Sequence, residues 1–320
     1  MWRFYLRFLF LLLAASSLFS CDQHPMWKTK IVERSILKEI PSASGLERWN
    51  DRYFIIGDNS PWLFETEITG TTLVKHRIGS LEEPDVIPKE QKHDFEAMCM
   101  MQWKEEQVLF LFGSGSKWPY RNKGIAFSVT RQKLIETYDL TSFYEGISEK
   151  AKINQDEFNL EAATTLNGKL YLFNRGENKV IVFKEDDFVH YLSHPSDLPK
   201  MKVYSLDLPN IDGIVSGFSG ATSDEKNGKI LFTASVENTS DWVQDGEVLG
   251  SFVGIFDPDK LHQHYTPHTS LIEDENGPLR IKVESITLDD TASNEYHCAL
   301  ITDSDGGISE LLKIQFYKTK

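Results

Sequence analysis

A short unit recurs five times along the chain, and it constrains the fold more than any other feature. The copies are Ser44-Gly45-Leu46, Phe95-Glu96-Ala97, Leu160-Glu161-Ala162, Ser219-Gly220-Ala221 and Val283-Glu284-Ser285. Taken at positions 44, 96, 161, 219 and 284, the steps between them are 52, 65, 58 and 65 residues. Each copy is followed, about ten residues on, by an apolar run: Tyr53 to Ile56, Val108 to Phe112, Leu170 to Phe173, Ile230 to Phe232 and Cys298 to Ile301. A repeat of this length with strand-like stretches predicts a radial β array. The expectation is an all-β, five-bladed β-propeller, with six blades as the alternative if one repeat has diverged. The aligned positions Ser44, Glu96, Glu161, Ser219 and Glu284 all carry side-chain oxygen. In a propeller such a column faces one central axis.

Turn signals support the alignment. Asn167-Gly168 and Asn227-Gly228 fall at the same place in two repeats, and both read as hairpin turns. Outer strands are expected at Leu63–Ile68, Gly124–Val129, Val180–Phe183, Phe252–Phe256 and Leu311–Phe316, and a helical turn or two around Ser142–Lys150. The last blade then needs a further strand, which Lys28–Ile40 would supply, closing the ring and removing its exposed edge.

The first twenty residues carry Arg3 and Arg7, a run of apolar residues from Phe8 to Ala15, and small residues up to Cys21. This is the layout of a secretory signal peptide. Leu18-Phe19-Ser20-Cys21 resembles a bacterial lipobox, which would make Cys21 the lipidated first residue. The alternative is an ordinary cleaved signal beside a chance cysteine. The expected organisation is a signal peptide over 1–20, a lipid-anchored tether over 21–27 and a propeller domain over 28–320. The chain would be exported and held to a bacterial membrane by lipid on Cys21. Cys99 and Cys298 sit in apolar stretches of different repeats and are expected as two buried free thiols rather than a disulfide.

The sequence has 34 Lys and Arg against 48 Asp and Glu, a formal charge of −14. Without residues 1–20 and their two arginines the balance is −16. Such acidity excludes nucleic acid as an expected partner and suits cation binding. A monomer is expected. Three glutamates converging on an axis repel one another unless a cation joins them, and an all-oxygen set suits Ca²⁺. The alternative is that these glutamates bond backbone N–H groups and bind nothing. His262, His264 and His268 could hold a transition metal but read as loop residues. Asp303-Ser304-Asp305-Gly306-Gly307 lacks the closing Glu of a calcium loop and reads as a hairpin turn. Gly113 to Lys117 lacks the spacing of a phosphate loop.

The order Ser, Glu, Glu, Ser, Glu, one per repeat, resembles the five-bladed calcium-activated nucleotidases, or apyrases. Further short motifs carry the likeness: Asp51 to Asp58, Lys117-Trp118, Asn167-Gly168-Lys169-Leu170-Tyr171 with Arg175, Gly217-Phe218-Ser219 with Glu237, and Val283-Glu284-Ser285-Ile286. The chain also resembles secreted phytase-like and esterase-like propellers. The apyrase resemblance implies Ca²⁺ held by Ser44, Glu96, Glu161, Ser219 and Glu284, and hydrolysis of phosphate esters or anhydrides. Asp58 would orient a water, and Lys117 and Arg175, with Arg121 and Arg48, would meet phosphate. The alternative function is a non-catalytic propeller that binds a surface ligand or protein around a structural cation. The partner would be a small molecule, phosphorylated if the chain is a hydrolase.

Overall fold

The computed structural model describes residues 26–40, 42–69, 72–103, 105–117, 119–238, 246–303 and 308–319. The expected signal peptide, Cys21, Trp118 and Ser304–Gly307 lie outside the described residues. The fold is a five-bladed β-propeller, each blade a four-stranded antiparallel sheet. Blade I runs Ala43–Trp49, Arg52–Gly57, Trp62–Glu67 and Thr72–Arg77; blade II runs Phe95–Trp103, Glu106–Gly113, Lys123–Ser128 and Lys133–Asp139. Blade III runs Leu160–Leu166, Lys169–Asn174, Lys179–Lys184 and Lys202–Leu206, and gains a short parallel partner, His264–Tyr265. Blade IV runs Gly217–Asp224, Lys229–Asn238, Glu247–Phe256 and His268–Leu271. Blade V joins Lys282–Ala292, Glu295–Asp303 and Ser309–Lys318 to the N-terminal strand Trp27–Leu37, paired from Trp27 opposite Lys318 to Leu37 opposite Ser309. The ring closes as expected, and there are five blades, not six.

Apolar strands pack face to face around the ring. Five buried clusters form, one at each blade junction, such as Phe54, Ile56, Leu109 and Leu111 between blades I and II, or Leu231, Val253, Ile286 and Leu300 between IV and V. The segments expected as outer strands are the third strands. In every blade a fourth strand lies outside them, and in blade II it is almost wholly solvent-facing, so hydrophobic patterning marks it weakly. The helix expected near 142–150 spans Thr141–Ala151 and buries Phe143, Tyr144 and Ile147. A second helix, Glu185–Ser193, went unexpected; its acidic first turn complements the helix dipole and it buries Phe188 and Tyr191. Asn167-Gly168 forms the two-residue turn, both residues with positive φ. Asn227-Gly228 belongs to a four-residue loop in which only Gly228 is left-handed. Cys99 and Cys298 are buried free thiols.

The inner strands share one irregularity. Antiparallel register shifts between Ala43 and Gly45, Phe95 and Ala97, Leu160 and Ala162, Phe218 and Gly220, and Val283 and Ser285. The residue skipped each time is Ser44, Glu96, Glu161, Ser219 or Glu284. The recurring sequence unit is therefore a recurring β-bulge, a device that re-aims one side chain out of the regular alternation. The bulge also lets inner strands crowd. A Cβ at Gly220 would lie 2.6 Å from Ser285 Cα and 2.9 Å from Ile286 N of the next blade. Gly220→Ala is expected to cost about 1–3 kcal/mol through overpacking, read as a lower urea midpoint; an unchanged midpoint would show that blades IV and V part freely there.

Candidate functional site at the propeller axis

A cavity of about 240 Å³ opens at the axis where the bulges point. Ser44, Glu96, Glu161 and Glu284 line it; Ser219 does not. Ser219 is fully buried and donates to Thr233 Oγ1 at 3.1 Å. Ser44 donates to the Phe95 carbonyl at 2.6 Å, tying blade I to blade II. Of the two serines of the column, Ser44 ties neighbouring blades and Ser219 bonds within blade IV, while the three glutamates face the cavity.

Residues two positions before the bulge share its side of the strand and add a second polar tier: Ser42, Asp94, Asn159 and Lys282 also line the cavity. The ends of the second strands add a third. Asp58 N donates to Ser42 O, Ser114 N to Asp94 O and Arg175 N to Asn159 O, at 3.1, 2.9 and 2.8 Å. This repeated backbone bond fixes Asp58 and Arg175 beside the inner tiers.

Cations interleave these acids. Lys92 Nζ pairs with Asp58 and lies 2.6 Å from Asp94 Oδ1. Arg121 Nη1 reaches Asp94 Oδ2 at 2.6 Å. Arg175 Nη2 holds Glu237 at 2.6 Å and its Nη1 lies 3.7 Å from Glu161. Lys282 Nζ is 3.0 Å from Glu284 and 3.5 Å from Glu237. Asn159 Nδ2 donates to Glu161 Oε1 at 2.6 Å. Glu96, by contrast, makes no hydrogen bond or ion pair among the described residues. Six carboxylates line the cavity against four cationic side chains, leaving a formal charge of −2.

The electrostatics follow from burial and neighbours. Burial, with Asp94 and Glu161 nearby, pushes the Glu96 carboxyl well above its usual range. Burial raises Glu161 and Asp58 against the pull of Arg175 and Lys92, and raises Glu284 to about 8 despite Lys282. Asp94 goes the other way: burial is outweighed by Lys92 and Arg121, which hold it below the usual carboxylate range. Burial disfavours the Lys92 charge, but Asp94 and Asp58 overcome it and raise the group.

Asp58, Asp94 and Glu96 each bring a carboxylate oxygen within 4.8 Å of the others. Among the described residues His262, His264 and His268 form no comparable cluster. Of the cations expected at the mouth, Arg121 lines the cavity, and Arg175 lies behind Glu161, paired with Glu237 rather than Glu177. Lys117 is exposed and does not line it. Arg48 sits elsewhere, donating to the Asp289 carbonyl and 3.6 Å from the Asp289 carboxylate. Sequence reasoning missed Lys92, Asp94 and Lys282, although the repeat alignment places Asp94 and Lys282 in one column, two before the glutamates.

Among solved structures the chain is similar to Myxococcus xanthus glutaminyl cyclase, with a TM-score of 0.51 and 11% identity over 93% of this chain and 100% of that one. It is also similar to a mutant of the GH43 protein BlXynB from Bacillus licheniformis, with a TM-score of 0.46 and 9% identity over 91% of this chain and 56% of that one. At such identity the likeness to the cyclase shows the fold alone. No curated protein matches the sequence. A family model, described as a family of unknown function (DUF6929), matches residues 39–316, and the chain belongs to that family.

Proposed function

We propose that the protein is an exported, lipid-anchored propeller hydrolase that holds a hard divalent cation, Ca²⁺, in the axial cavity and cleaves phosphate esters or anhydrides there. The observation that carries this reading is a buried cavity of formal charge −2 whose Glu96 carboxylate has no partner of its own among the described residues. One divalent ion would balance that charge. Export and lipid attachment rest on residues 1–21 alone.

The donor set fits the ion. Asp58, Asp94 and Glu96 are hard oxygen donors close enough to share it, of the kind Ca²⁺ takes. Glu96 is common to this triad and to the bulge column, and Glu161 and Glu284 face the same cavity. Lys92, which rests on Asp58 and Asp94, swings aside or shares them. The bound ion would supply Lewis-acid stabilisation of charge developing on phosphoryl oxygens. Arg121 and Lys282 line the cavity as fixed positive charges for the remaining substrate oxygens, in a site where burial strengthens such contacts. Asp58 Oδ1 is buried without a hydrogen-bond partner, and it accepts from an attacking water and so orients it.

Phosphate release from nucleotides, inositol phosphates and sugar phosphates, with Ca²⁺ or with chelator, tests the proposal. Turnover should require Ca²⁺, and Glu96→Gln should lower kcat/KM by about a hundredfold or more. Absence of release from every substrate at saturating Ca²⁺ would leave the non-catalytic reading. One observation favours that second reading: Lys92 and Lys282 already rest on carboxylates, so lysine ammonium groups partly take the place of an ion. Glu161→Gln would then lower thermal stability with no activity to lose.

A further inference from the structure

A larger cavity, about 680 Å³, lies on the flank of the propeller at the rim between blades III and IV, remote from the axial residues. That volume is in the range of small-molecule sites. The strand register explains its chemistry. On one face of blade III, Lys169 stands opposite Lys184, Tyr171 opposite Val182, and Val182 opposite Lys202. Like charges directly opposite across a sheet are unfavourable. None of these three lysines has an ion pair or side-chain hydrogen bond among the described residues. With Lys200 they put four ammonium groups on the cavity against Asp187 and Asp197, a local charge of +2 on a chain of −14.

The cavity is not only cationic. Tyr171 and Val182 form an apolar floor, and Tyr204 adds a second ring. Tyr171 is 2% exposed as a residue, and it lines the cavity with no side-chain hydrogen bond of its own among the described residues. Its hydroxyl is thus free to bond a ligand there.

We propose that this flank cavity is a second ligand site, for a small molecule with one anionic head and an aromatic or alkyl body. The lysines receive the anion, the ring and Val182 receive the body, and the Tyr171 hydroxyl donates to an acceptor on the ligand. The inference does not depend on the axial chemistry.

The test uses 8-anilinonaphthalene-1-sulfonate and its neutral relative N-phenyl-1-naphthylamine as probes, titrated into the folded protein by fluorescence and calorimetry. The sulfonate should bind saturably at one site, at least tenfold tighter than the neutral amine, and more weakly as salt rises. Lys169→Gln/Lys184→Gln/Lys202→Gln should lose at least tenfold in affinity with its circular dichroism unchanged. Tyr171→Phe should weaken binding several-fold without lowering Tm, because the phenol has no protein partner to lose. Glu96→Gln should bind the probe as the parent does. Non-saturable binding, equal affinity for the two probes, or undiminished binding in the triple variant would overturn the proposal.

Discussion

Arg175→Met is expected to be among the most damaging single changes in this protein, costing about 3–5 kcal/mol at neutral pH. Arg175 is 4% exposed and ties three things together. Its Nη2 holds Glu237, its Nη1 donates to the Phe218 carbonyl at 3.3 Å, and the same Nη1 lies 3.7 Å from Glu161. It thereby links blade III to the inner strand of blade IV. Truncating it leaves Glu161 and Glu237 buried, with Lys282 the nearest remaining cation to Glu237. Arg175→Lys keeps the charge but not the planar fork, so a smaller loss is expected. Urea unfolding of the three proteins checks this. The deficit of Arg175→Met should shrink toward pH 5, where Glu161, already raised by burial, can take a proton. A loss below about 1 kcal/mol at neutral pH would mean that the ion network is not held by this arginine.

The second large effect is the dependence of stability on pH in the absence of divalent ions. Glu284 sits at about 8 in the folded protein against an ordinary 4.5, and Glu96, Glu161 and Asp58 are raised with it. Between those limits the folded chain binds more protons than the unfolded chain, so stability falls as pH rises from about 4.5 to 8. Several coupled groups share this shift, and a loss on the order of 3 kcal/mol across the window is expected. Asp94 has the opposite sign. Its depressed value contributes stability that is lost as pH falls below 3.8. Maximum stability in chelator should therefore lie near pH 4, between these two limits. Ca²⁺ on these carboxylates would keep them ionised and flatten the descending limb. Thermal unfolding scans from about pH 2 to pH 9, with chelator and with Ca²⁺, measure both limbs; rising stability between pH 5 and 8 in chelator would contradict the assignment.

The ring was legible because its determinants are local. Each bulge sits one or two residues into a strand, directly after an apolar residue, and a similar three-residue unit announces it in every blade. The glutamates were found because the bulge points them all at one place. The role of the serines was not legible: whether a hydroxyl faces a cavity or bonds the next blade, as Ser44 does to Phe95, depends on inter-blade spacing. Lys92 reaches Asp58 across 34 positions of sequence that include the third and fourth strands of blade I, a contact that no periodicity encodes. Arg48 lies on blade I's inner strand, yet it is paired with Asp289 of blade V outside the cavity. The N-terminal fourth strand of blade V was legible, but those of blades I to IV were missed because little of them is buried, least of all in blade II, and the flank cavity because its lysines come from three separate strands of blade III and the loop before the last of them.

Calcium titration calorimetry on the purified protein at neutral pH, run in two buffers of different ionisation enthalpy beside Glu96→Gln, tests the axial site most directly. The account predicts one Ca²⁺ site, release of about one to two protons as the raised carboxyls ionise on binding, and loss of the site in Glu96→Gln. No binding, or binding that Glu96→Gln leaves intact, would contradict it.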